Sequence, residues 1–219
     1  MKVICVTGTP GTGKTTVAKK LALKIGFLYL DINGFVSKNK LYSGYDKKRK
    51  SKIVDIKKLN KELVKEIKYF TRARDFFKSH NVKTSNELAK LAGHDSINTL
   101  QLLKTLNSYS LNGYFNYGKT LNNDYINKLK KIKGMIIDSH LSHYLPKKYV
   151  DLCIVTKCGI SELNKRLKKR KYSKAKIKEN LQAEIFDVCR QEALKNKHKV
   201  ITVDTAKTIN ITSIAKKLR

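Results

Sequence analysis

Residues 2–25 read KVICVTGTPGTGKTTVAKKLALKI. The first six, Lys2 to Thr7, form a short β-branched apolar run of the kind that lies buried in a parallel sheet. Gly8-Thr9-Pro10-Gly11-Thr12-Gly13-Lys14-Thr15 then matches G-x-x-x-x-G-K-S/T in full. From Lys14 to Lys24 the apolar residues Val17, Leu21 and Ile25 fall at helical spacing. Strand, glycine loop, helix is the setting in which the motif has a mechanism. Glycines let the chain curl so that successive N–H groups face a phosphate, and the helix N-terminus adds its positive dipole. Gly11, Gly13, Lys14, Thr15 and Thr16 are therefore the candidate phosphate ligands. Lys14 reaches the β- and γ-phosphates, Thr15 offers a hydroxyl to Mg²⁺, and Thr16 can donate near the α-phosphate.

Working outward, FLYLDI (27–32), KGMIID (133–138), VDLCIVT (150–156) and VITVD (200–204) are further buried-strand runs. Helical patterns start near Lys57 and recur over 160–170, 175–196 and 208–218. Strands alternating with helices predict an α/β doubly wound parallel sheet, the P-loop NTPase fold. A protein of that class needs a carboxylate to hold magnesium from the far side, and Asp138 ends an apolar strand where one is wanted. His140, two residues on, leaves the same strand end, where open α/β sheets bind ligands, and could position water or a phosphate acceptor. His143 has no such argument and reads as a surface residue.

Residues 68–133 break the alternation, so 1–67 and 134–219 form the predicted core and 68–133 an inserted, mainly helical small domain. Thr84 or Ser85 caps a short helix, Gly93 ends it, a second helix follows from about Ser96, and Asn112-Gly113 marks a hairpin. That order fits a winged helix, and it equally fits a small helical insert without a nucleic-acid role.

The chain has 219 residues, 41% hydrophobic, with 48 basic and 17 acidic side chains for a net charge of +31. Only seven of the cations are arginine, so much of the charge is mobile lysine. Such a field attracts polyanions such as nucleotides, RNA or ribosomal surfaces and says nothing about fold. No stretch reaches the ~18 apolar residues of a membrane span. The four cysteines lack a CxxC pair, which argues against a zinc ribbon or a disulfide framework and for a reducing, cytoplasmic compartment. Between Lys168 and Lys178, seven of eleven residues are basic and none is acidic, the composition of a clamp that closes on phosphates.

TGTPGTGKTT (7–16), LYSGYD (41–46), IIDSH (136–140), RLKKRKYSKAKIKEN (166–180) and AEIFDVCRQEA (183–193) together resemble the adenylate kinase isoenzyme 6 family, across residues 1–67 and 134–219. The resemblance implies a nucleoside monophosphate kinase that uses Mg²⁺ and ATP, with a monophosphate-binding region at about 31–54 and a lid at about 169–179. It also implies ATPase activity and a part in small-ribosomal-subunit maturation, through a ribosomal protein or pre-ribosomal RNA. By position it makes Arg170 the lid arginine on ATP with Arg166 nearby, puts Lys207 at the base, and places Asp138 and His140 on the family's Asp-x-His. The chain departs from the family in three places. Arg170-Lys171-Tyr172 stands where Arg-Gly-Tyr is usual, so the lid turn must form without glycine. Ser37-Lys38 stands where some relatives place an arginine, so the resemblance supplies no ligand for the acceptor phosphate. Lys47-Lys48-Arg49-Lys50 is basic where relatives are often acidic.

Overall fold

The computed structural model describes residues 1–47, 49, 51–81, 87, 127, 130–207 and 209–218. The two-helix and hairpin reading of 84–117 therefore lies outside the described residues. Five parallel strands form the main sheet: β1 (Lys2–Thr7), β2 (Leu28–Asp31), β5 (Gly134–Asp138), β6 (Leu152–Lys157) and β7 (Val200–Asp204). Their order is β2-β5-β1-β6-β7, which puts the strand before the glycine loop at the centre. The predicted doubly wound α/β sheet is thus the observed one.

Period-two alternation along the strands splits the core in two. Val3 and Cys5 of β1, with Met135, Ile137, Cys153 and Val155, face α3 (Ile56–Ser79) and Ala193 of α6 (Val188–Lys195). Ile4 and Val6, with Ile136 and Ile154, face α1 (Lys14–Ile25) and Ile214 of α7 (Ile211–Lys216). α2 (Ile32–Lys38) follows β2 directly, capped by Asp31, whose carboxylate accepts from the Asn33 N–H at 3.0 Å. Two further helices, α4 (Ile160–Lys169) and α5 (Lys174–Ile185), flank the turn at Arg170–Ser173.

Three features go beyond the sequence reading. Residues 42–54 form an antiparallel hairpin, β3 (Tyr42–Asp46) with β4 (Ser51–Val54), standing apart from the main sheet. The helix predicted over 175–196 is two helices, α5 and α6, joined where Asp187 adopts a left-handed φ of 53°. α3 also runs without interruption across the expected boundary at residue 67. Its Phe70, Ala73 and Phe77 lie in the same cluster as Leu59 and Leu63, so the main core takes side chains from this helix as far as Phe77.

Candidate active site

The loop between β1 and α1 is shaped by close packing at its glycines and by hydrogen bonds of its own, among them the Thr12 N–H to the Thr9 carbonyl at 3.1 Å. Gly8 has φ 138°, and a Cβ there would sit 2.5 Å from the Thr156 carbonyl oxygen. Gly11 has φ 97°, and a Cβ would meet Leu163 of α4 at 2.8 Å. Gly13 is the N-cap of α1 and supplies no side-chain cap, so the helix presents its N–H groups outward. Thr12 Oγ1 lies 2.7 Å from both the Thr9 carbonyl and Thr156 Oγ1. Thr9 donates to the buried Glu184 at 2.6 Å, and the other carboxylate oxygen of Glu184 accepts from the Cys158 N–H at 3.0 Å. Lys157 completes the charge on Glu184 at 3.4 Å.

Lys14 opens α1, and its ammonium donates to the Thr9 carbonyl at 3.1 Å. Burial lowers its pKa from 10.5 to about 8, against the pull of Asp138, while Arg170 adds to the lowering. Thr15 and Thr16 are exposed on the first turn of α1. Asp138 ends β5, in register with Val6 of β1 and Asp31 of β2. It is buried, which raises its pKa, while hydrogen bonds from Thr15 and Tyr29 oppose the rise. The Tyr29 hydroxyl donates to Asp138 Oδ2 at 2.9 Å, and burial raises that phenol's pKa above the usual range.

His140 stands exposed beside these groups, and its pKa is lowered, first by the surrounding protein and then by Lys14, His143 and Lys176. Solvent at the ring limits the extent of that shift, but the direction leaves the imidazole neutral near pH 7. Magnesium fits the donors here. Thr15 and Asp138 offer hard oxygens joined by a hydrogen bond, and among the described residues no three His, Cys, Asp or Glu side chains form an all-protein metal cage. One or two protein oxygens plus phosphate oxygens and water is the usual way that ion is held.

Of the three remaining candidates, Arg170 and Arg166 are linked to this centre, and Lys207 makes no contact with it among those the structure shows. Arg170 is exposed at the C-cap of α4, near enough to Lys14 to act on its charge. Arg166 is bound within the protein: Nε donates to Glu162 at 2.8 Å, Nη1 to Thr205 Oγ1 at 3.1 Å and Nη2 to the Thr205 carbonyl at 3.0 Å. Thr205 Oγ1 lies 2.8 Å from the Thr12 carbonyl, so Arg166 also braces the loop. Lys207 is exposed in the loop after β7.

The sequence reading missed several residues of the site. Glu184 lies in the quoted AEIFDVCRQEA stretch, but nothing in its spacing shows that it reaches Thr9, 175 positions away. His143, read as a surface residue, is 1% exposed. It bridges Thr7 Oγ1 at 2.7 Å and Glu192 at 2.9 Å, behind the start of the loop. The hairpin tip reaches α5, where Arg49 pairs with Glu179 at 3.1 Å and Lys176 donates to the Arg49 carbonyl at 3.0 Å.

A central parallel sheet with a glycine loop, lysine and helix N-terminus at its C-terminal end, and a buried carboxylate on the neighbouring strand, defines a P-loop nucleotide-binding protein. An AAA domain family model matches residues 4–187. A protein of Pyrococcus furiosus named "Putative adenylate kinase" is 33% identical over 203 residues, covering 93% of this chain and 74% of that protein. The adenylate kinase isoenzyme 6 homolog FAP7 of Saccharomyces cerevisiae is 27% identical over 202 residues, covering 92% and 71%. The chain belongs to the adenylate kinase isoenzyme 6 family. Among solved structures, deoxyadenosine kinase from M. mycoides with bound dATP overlays at a TM-score of 0.42 with 13% identity, covering 100% of this chain and 99% of that one. That likeness is too coarse to speak to substrate. No helix among the described residues is long and apolar enough to cross a membrane.

Proposed function

We propose that this chain transfers the γ-phosphoryl group of ATP to AMP or another nucleoside monophosphate, and hydrolyses ATP slowly when water takes the acceptor's place. The observation that carries the reading is the convergence of Lys14, Thr15 and Asp138 at the strand ends, with Arg170 near enough to act on Lys14 and Lys176, which meets the hairpin tip, near enough to act on His140. ATP phosphates lie on the loop N–H groups of Gly11 and Gly13 and the first turn of α1, with Lys14 on the β- and γ-phosphates and Thr16 near the α-phosphate. Thr15 and Asp138 would hold Mg²⁺, which when bound neutralises charge on the transferring phosphates. An oxygen of the acceptor phosphate forms a bond to the γ-phosphorus as the β–γ bridge breaks, and ADP leaves with the bridging electrons. The protein contributes positioning and positive charge, with Arg170 arriving from the end of α4 and Lys207 near the base. Neutral His140 orients the acceptor or a water.

The test is direct. Pure protein is incubated with ATP, Mg²⁺ and each monophosphate in turn, and the products are separated. Diphosphate formed from the acceptor supports transfer; release of inorganic phosphate alone refutes it.

A second reading has its own observations. A net charge of +31 suits pre-ribosomal RNA, and Ile185 and Phe186 stand 61% and 70% exposed at the α5–α6 junction, next to the Glu184 that holds the loop. On that reading the chain is an ATP-switched factor in small-subunit maturation, with a ribosomal protein or rRNA as partner. Hydrolysis stimulated by such a partner, without diphosphate product, would favour it.

A further inference from the structure

We infer that Lys52 of β4 is the cation that holds the phosphate of the acceptor nucleotide; this rests on the transfer reading above and names a ligand for its acceptor side. The Lys52 ammonium donates to Ser37 Oγ on α2 at 2.8 Å and lies 4.6 Å from the centroid of the Tyr42 ring. Ser37 in turn donates to the Asn33 carbonyl at 2.9 Å, which fixes its oxygen toward the lysine. A hydroxyl and a ring face hold an ammonium in place without neutralising it, and two of its three N–H donors remain.

Two other cations of this region are neutralised within the protein. Arg49 pairs with Asp46 and Glu179, and Lys58 with Asp55. Among the described residues no carboxylate lies within ion-pair distance of Lys52. An ordered, unneutralised ammonium is what a phosphate dianion requires.

Its place in the fold assigns the acceptor rather than the donor. α2 hangs from Asp31, which is in register with Asp138 at the strand ends. The hairpin carrying Lys52 runs from α2 to α5, where its tip receives Lys176, and Lys176 acts electrostatically on His140. P-loop, strand ends, α2, hairpin and α5 thus form a closed circuit of contacts. On the transfer reading the loop takes the donor phosphates, and Lys52, which joins the hairpin to α2, is left for the acceptor.

The experiment uses the full chain with AMP as the probe, comparing wild type with Lys52→Gln and Lys52→Arg. Loss of a charge-assisted bond to phosphate should raise KM for AMP roughly 10- to 100-fold in Lys52→Gln, with much of the loss recovered in Lys52→Arg. KM for ATP should stay where it is. Equilibrium binding of adenosine, which lacks the phosphate, should be the same in all three proteins. An unchanged KM for AMP in an active Lys52→Gln protein overturns the assignment while leaving the transfer reading intact. Equal weakening of AMP and adenosine also overturns it, since the lysine would then only support the hairpin. Failure of the wild type to phosphorylate AMP or any other nucleoside monophosphate removes the transfer reading, and Lys52's role with it.

Discussion

Lys14 illustrates how burial prepares a side chain for its ligand. Its ammonium is partly desolvated, with a pKa lowered to about 8, and its hydrogen-bond partner is a backbone carbonyl rather than a carboxylate. ATP phosphates supply the missing anion. Lys14→Ala should leave the fold intact and lower transfer and hydrolysis by several powers of ten, on the scale of the ~10³–10⁵ of a lost arginine finger. Steady-state rates beside a circular dichroism spectrum check this. Behind the loop, His143 gives a pH prediction. Burial lowers the pKa values of His143 and His198 below 6.5, although Glu192 pulls the first upward and the His143 carbonyl pulls the second. Protonation is therefore harder in the folded state than in the unfolded chain, which binds more protons as pH falls through 6.5. Stability should be full above that pH and decline as acid takes the solution toward the lower folded values. Urea midpoints at pH 7.5 and 5.5 measure it, and His143→Gln should flatten the difference. A midpoint that does not fall in acid contradicts the direction. Nothing in the sequence marks His143, because Thr7 and Glu192 are its partners only through the fold, 136 and 49 positions away.

At the scale of elements, the lid turn shows what replaces an expected glycine. α4 ends in a Schellman arrangement: the Lys171 N–H donates to the Lys168 carbonyl at 2.8 Å, and the Tyr172 N–H to the Leu167 carbonyl at 3.4 Å. Lys171 carries the left-handed φ of 55°, and Tyr172 packs back on the cluster that contains Leu167. A side chain in that conformation costs roughly 1–2 kcal/mol, which glycine would not incur. Lys171→Gly should therefore raise the melting temperature by about 2–4 °C, allowing about 1 kcal/mol net in a domain of this size. Calorimetry decides it, and an unchanged or lower value would mean that the lysine makes compensating contacts. The position was legible in the sequence as a departure, but the conformation was not. The same contrast holds for other elements. The five strands of the main sheet were legible because β1, β5 and β6 are buried on both faces and keep their apolar runs unbroken. The hairpin was not, because β3 and β4 contain no fully buried residue and so have no apolar alternation to read. The break between α5 and α6 was invisible because Asp187, rather than glycine or proline, takes the left-handed turn.

Across the whole molecule, the open question is where the core stops and an inserted segment begins. The sequence places that boundary at residues 67 and 68, but α3 carries Phe70, Ala73 and Phe77 into the main core beyond it, and Ile132 joins the same cluster from the far side. Deleting 68–133 would remove two buried phenylalanines, each worth about 3–5 kcal/mol when cut to alanine. Against a total stability of about 5–15 kcal/mol, that loss should leave an insoluble protein. Deleting 82–129 instead keeps α3 whole. A Gly/Ser linker of about ten residues reaches roughly 17 Å, and closing it costs little more than closing a shorter one. This shorter deletion should be soluble and should keep phosphoryl transfer, because every phosphate ligand named above lies outside 82–129. Charge gives a second readout. Residues 82–129 hold five lysines against three acidic side chains, a small part of the net +31. The slope of RNA affinity against salt should therefore change little on their removal, since that slope counts phosphates neutralised. An insoluble 82–129 deletion would show that the segment belongs to the core, and a slope that collapses would place the nucleic-acid contacts within it.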